Sequence, residues 1–201
     1  MALNYANNQS LSAITSLPAS ITGGALTLLQ TQTASASATI DFTSNIDSTY
    51  DAYMFKFYDI HPATNTVNFQ FNMSTDGGSN YNVTKTSTSF WSYHKEDDSV
   101  TSLDYWGGGD LAQGTGVQPL SYQTSNDDDA QVSGTLTLYQ PSSSNFVKHF
   151  ICRNLSYWDQ NAPFDQYFAG YGNTTSPINA VQFSFSSGNI DSGVIKLYGV
   201  S

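Results

Sequence analysis

Cysteine and glutamate each occur once in the chain, as Cys152 and Glu96. A single cysteine excludes an internal disulfide framework. Lysine and arginine together number six, and charged residues make up 11% of the sequence, less than half of the roughly 25% usual in globular domains. With one glutamate and so few lysines, the sequence lacks the residues that build solvated helix faces, so a helix-rich fold is not expected. No two basic residues are adjacent, and the formal net charge is −10. Nucleic acid and anionic membrane surfaces, which need a basic footprint, are therefore not expected partners. No stretch approaches the roughly 18 apolar residues of a membrane-crossing helix. The opening, Met1-Ala2-Leu3-Asn4-Tyr5, has neither the basic nor the apolar region of a secretory signal.

The chain is rich in hydroxyls and rings. Serine and threonine fill about a quarter of it, well above ordinary usage. Aromatic residues reach 14%, with 13 Tyr and 12 Phe. Tyr, Phe and Thr fit a pleated, half-buried surface. With 201 residues, one domain is the expectation, able to bury roughly 70% of its unfolded surface without metal or disulfide.

Two regions differ in texture. Residues 1–24 show no sustained period, and Leu3, Tyr5, Leu11, Ile14 and Leu17 stand isolated among Asn, Gln and Ser. The segment reads as an extended N-terminal arm that docks onto something, or as a loosely packed terminus. From residue 25 to 201 alternation takes over. Tyr53, Phe55 and Phe57 share one face, with Lys56 on the other. Val67, Phe69, Phe71 and Met73 alternate with polar residues up to Asp76-Gly77-Gly78, which predicts a hairpin returning through Tyr81, Val83 and Lys85 to Phe90. Residues 91–130 read as long loops around short strands. Further strands are predicted over Val132–Leu138, Phe146–Ile151, Val181–Phe185 and Val194–Gly199. Eight to ten short strands with turns between them predict an all-β antiparallel sandwich, of jelly-roll type.

Motifs for chemistry are sparse. Glu96, Asp97, Asp98, Asp104 and Asp110 could supply a carboxylate pair for glycoside hydrolysis, but all sit in polar sequence that offers no pocket to raise a general acid's pKa. No Gly-x-Ser-x-Gly elbow accompanies His61, His94 or His149. His149 and Cys152, three apart on a strand, point to opposite faces. Asp127-Asp128-Asp129 lacks the spacing of a calcium loop, and no zinc cluster or nucleotide-binding glycine fingerprint occurs. No catalytic residue, metal or cofactor is therefore expected. The aromatics Trp91, Tyr105, Trp106, Tyr157, Trp158, Tyr167 and Tyr171 read as loop residues. They could serve a subunit interface, face a glycan, or simply cap the core.

Several stretches carry a resemblance. They are Ala36-Ser37-Ala38-Thr39-Ile40-Asp41-Phe42, Ile46-Asp47-Ser48-Thr49-Tyr50, Phe57-Tyr58-Asp59-Ile60, Ser74-Thr75-Asp76-Gly77-Gly78-Ser79-Asn80-Tyr81, and the terminal Ser192-Gly193-Val194-Ile195-Lys196-Leu197-Tyr198-Gly199-Val200. Together they resemble uncharacterised virion structural proteins of tailed phages, over most of residues 25–201. The shared features are turns and strands, not catalytic groups. The resemblance implies a non-enzymatic capsid decoration (cement) protein, or alternatively a tail or head fibre domain that binds a host-surface glycan. It implies the major capsid protein or tail components as partners, with a homotrimer favoured by particle symmetry. It also implies synthesis in the host cytoplasm and a final place on the outer surface of the virion.

Overall fold

A computed structural model describes residues 26–201. The expected arm, residues 1–24 with Leu3, Tyr5, Leu11, Ile14 and Leu17, lies outside the described residues. Those residues form twelve strands and no helix: β1 (Leu26–Ser37), β2 (Ile40–Phe42), β3 (Ala52–Pro62), β4 (Phe69–Ser74), β5 (Lys85–His94), β6 (Thr101–Tyr105), β7 (Gln118–Pro119), β8 (Val132–Tyr139), β9 (Lys148–Trp158), β10 (Ala162–Gly172), β11 (Ala180–Phe185) and β12 (Ile190–Val200). The count exceeds the eight to ten read from the sequence because residues 91–130 hold more regular structure than their composition suggests. β5 continues through Trp91 to His94, and β6 pairs back onto it.

The strands build two antiparallel sheets. The larger has the order β1-β12-β3-β8-β9-β10-β5-β6, the smaller β2-β11-β4-β7. They face each other as the β-sandwich that the alternation predicts. Phe183 on β11 sits at the centre of the core. Its ring meets Phe55 and Phe57 on β3 edge-on at 5.2 Å and stacks on Phe69 of β4 at 5.7 Å. Edge-to-face pairs add about 0.5–1.5 kcal/mol each beyond burial. The inward set Tyr53, Phe55 and Phe57 is almost fully buried, while Lys56 is not.

One expectation is corrected. The Asp76 turn is not a hairpin within one sheet. β4 pairs with β11 and β7, whereas β5 pairs with β10 and β6. The turn itself is as predicted. Gly77 and Gly78 have φ of 73° and 90°, and the Asp76 carboxylate accepts hydrogen bonds from the Asn80 backbone N–H (2.9 Å), the Asn80 side-chain amide (2.7 Å) and the Ser74 hydroxyl (2.6 Å). Those bonds hold its pKa down at about 2. After Val83, however, the chain crosses between sheets. The crossing is fastened by Lys85, fully buried, whose Nζ donates to Asn72 Oδ1 (2.5 Å) and the Val83 carbonyl (2.8 Å).

Beyond the small sheet, the inner face of the large one carries a second apolar cluster of Trp158, Ala162 and Phe164, with Trp91, Tyr93 and Tyr122 against it. This cluster lets the large sheet extend past its partner without exposing its inner face.

Candidate functional site

The outer face of the large sheet is the surface with unspent apolar area. Alternation along β9 is strict. Phe150, Cys152, Asn154, Ser156 and Trp158 are buried, and His149, Ile151, Arg153 and Leu155 are exposed. His149 and Cys152 thus lie on opposite faces, and burial pushes the Cys152 thiol up to about 12, leaving it inert.

Register assembles the outer face across four strands. Arg153 lies opposite Tyr167, Tyr167 opposite Phe90, and Phe90 opposite Tyr105. The Phe90 and Tyr167 rings stack at 4.7 Å and 5°. On the other side of Tyr167 the Arg153 guanidinium lies 4.8 Å from the ring centre. Arg153 is fixed in turn by Asp165, with Nε to Oδ1 at 3.1 Å and Nη2 to Oδ2 at 2.9 Å. Leu103 (71% exposed), Ile151 (52%) and Leu155 (51%) project beside this ladder. Contiguous apolar surface of this kind, rimmed by polar groups and enriched in Tyr, Phe and Arg, is characteristic of an interaction face.

The aromatics singled out from the sequence divide into two groups, and all but Trp106 lie on strands, not in loops. Trp91 packs on Trp106, Tyr122 and Phe164 at 4.9–5.0 Å. Trp158 packs on Phe164 and Tyr93, and its indole N–H donates to Gln123 Oε1 at 3.2 Å. Trp91 and Trp158 therefore belong to the second cluster on the inner side, and Trp106 packs against the main core as well as on Trp91. Tyr105, Tyr167 and Tyr171 lie on the outer face, with Tyr171 opposite His149. Tyr157 stands at the end of β9, its hydroxyl 3.4 Å from Glu96 Oε1 and 3.3 Å from Asn161 Oδ1. Sequence reasoning missed Phe90, Leu103, Ile151, Leu155 and Arg153. The available signal was Phe150-Ile151-Cys152, three consecutive apolar residues on an alternating strand, which must place one of them outward.

The candidate catalytic groups stay dispersed. His94 pairs with Asp98 at 2.8 Å on an exposed turn, Asp104 takes the Ser102 hydroxyl, and Asp110 takes that of Tyr105. His61 reaches the Asp127 carbonyl at 3.1 Å. Among the described residues no group of three or more His, Cys, Asp or Glu is placed to hold a metal ion. In comparison with known proteins, the chain matches no family model, no curated protein and no solved structure.

Proposed function

We propose that the chain is a non-enzymatic structural protein of a tailed-phage virion, most directly a capsid decoration protein that docks through the outer face of its large sheet. The observation that carries this reading is the Arg153–Tyr167–Phe90–Tyr105 ladder with Leu103, Ile151 and Leu155 around it: rigid, largely apolar and exposed. Preorganised aromatic and arginine side chains lose little entropy on binding and act as anchors.

The strand order supports a jelly roll, a fold common in capsid proteins. Setting aside β5, β6, β9 and β10, the other eight strands fall into the orders β1-β12-β3-β8 and β2-β11-β4-β7, and successive strands change sheet at every step except β4 to β7. The four set aside are two inserted hairpins, β5–β6 and β9–β10, which pair with each other and widen the large sheet. They also supply most of the docking face. A platform for a host glycan fits less well, because a sugar needs a free ring face. Both faces of Tyr167 are covered, and the tryptophans pack inward.

In this reading the N-terminal arm helps to clamp neighbouring capsomers, and the protein assembles as a homotrimer with an outer-surface location. Quantitative mass spectrometry of purified particles should find the chain in a fixed, symmetry-compatible ratio to the major capsid protein. Its absence from particles, or a ratio that varies between preparations, would refute the proposal.

A further inference from the structure

The strands that carry the ladder hold a polar row on their inner side. Asn154 on β9 lies directly opposite Gln166 on β10, and Gln166 lies directly opposite Trp91 on β5. Each is the chain neighbour of a ladder residue: Arg153, Tyr167 and Phe90. Gln166 is 0% exposed and Asn154 2%. Both amides are satisfied at the nitrogen only. Asn154 Nδ2 donates to the Leu120 carbonyl and lies 3.6 Å from Cys152 Sγ. Gln166 Nε2 donates to Ser156 Oγ at 2.7 Å and to the Phe164 carbonyl at 3.4 Å. Asn154 Oδ1 and Gln166 Oε1 are shut off from the surface without a partner among the described residues, and so is the indole nitrogen of Trp91. No other side-chain group on β5, β9 or β10 is in this position, and these three fall in one row.

Buried polar groups in folded proteins almost always have a partner. The chemistry of this row specifies which kind. Two carbonyl oxygens accept and one indole N–H donates. A cation would be repelled by the N–H dipole, and an anion by both oxygens. A water molecule has the complementary set, with two protons to give and lone pairs to receive one, and buried waters typically make about three hydrogen bonds. The flanks of the row offer no substitute. Beyond Asn154 stands Gly134, where even a Cβ would lie 2.4 Å from that of Asn154. Beyond Trp91 stands Asp104, which is exposed and takes the Ser102 hydroxyl. Asn154 and Trp91 are each one strand spacing from Gln166, about 4.8 Å, a gap that a bridging water spans with hydrogen bonds of about 2.9 Å.

We propose that an ordered internal water bridges Asn154 Oδ1, Gln166 Oε1 and Trp91 Nε1. It ties β9, β10 and β5 together from the inner side, behind the exposed rings. The site belongs to the single chain and stands apart from the virion proposal.

Water–protein NMR on isotope-labelled protein tests it. The indole N–H signal of Trp91 is assigned by its absence from Trp91→Phe. In the wild type this proton should show NOE and ROE cross-peaks to water of opposite sign, the mark of a long-lived bound water as opposed to proton exchange. Gln166→Met, close in volume, removes one acceptor and should abolish both cross-peaks while the backbone amide spectrum stays native-like. A crystal structure should show a density peak within about 3.2 Å of both Asn154 Oδ1 and Gln166 Oε1. Absence of the wild-type cross-peaks would overturn the proposal. The indole N–H would then be directed at a ring, such as Phe164 at 4.9 Å and 65°. Cross-peaks that survive intact in Gln166→Met would overturn it as well, because they would come from water held elsewhere. If that variant fails to fold, the wild-type spectrum and the crystal density decide.

Discussion

Lys85 shows how one residue couples the fold to pH. Its ammonium is buried with amide and carbonyl acceptors and no carboxylate partner, and burial lowers its pKa from 10.5 to about 8. Between these values the unfolded chain binds more protons than the folded one, so stability rises with pH. Below about pH 8 the penalty for the buried charge is fully present and constant. Urea unfolding between about pH 8 and 9.5 should show the wild type gaining up to about 1.4 kcal/mol per pH unit, a slope that Lys85→Met largely removes. An equal slope in both proteins would show that Lys85 is solvated. At the core, Phe183→Ala should cost about 3–5 kcal/mol, because the small sheet cannot collapse around the lost ring. On the outer face, Phe90→Ala should cost no more than about 1.5 kcal/mol, one aromatic pair, measurable as a small shift in the urea midpoint. A much larger loss would mean that the ladder serves folding rather than binding.

At the scale of elements, legibility followed the contrast between faces. β3, β4, β8 and β11 could be read from the sequence because apolar and polar residues alternate cleanly along them, as in Tyr53, Phe55 and Phe57. β5 and β6 were not legible beyond Phe90. Trp91 and Tyr93 face one side while Phe90, Leu103 and Tyr105 face the other, and a strand apolar on both faces loses its period. The Asp76 turn was legible as local chemistry, since Asp-Gly-Gly supplies the positive φ. Its destination was not, because no local signal says which sheet a returning strand joins. The turn still sets a test. A methyl at Gly78 would lie 2.8 Å from the Tyr81 hydroxyl and 2.9 Å from Thr43 Cγ2 at φ of 90°. Gly78→Ala should therefore destabilise by at least about 1 kcal/mol, whereas the same change at Gly116, where nothing lies nearby, should have little effect. The candidate site was the least legible part. Tyr105, Tyr167 and Tyr171 were named, but as loop residues alongside three tryptophans that turn inward. Which of two apolar faces stays wet depends on how far the small sheet reaches, a tertiary fact.

The whole molecule joins a two-sheet core to a large sheet wider than its partner. The β5–β6 and β9–β10 hairpins bury their inner face in the second aromatic cluster and leave an exposed apolar outer face. Because that face is largely apolar and the Arg153–Asp165 pair is internal to it, binding should persist between about 0.1 and 1 M salt, where exposed ion pairs are screened. The measurement that bears most directly on docking is co-sedimentation with capsids that lack this protein, comparing the wild type with the double variant Leu103→Asp, Ile151→Asp. Saturable wild-type binding is predicted, weakened at least tenfold in the variant with its urea midpoint unchanged. Undiminished binding by the variant, or no binding by the wild type, would contradict the assignment of this face as the docking surface.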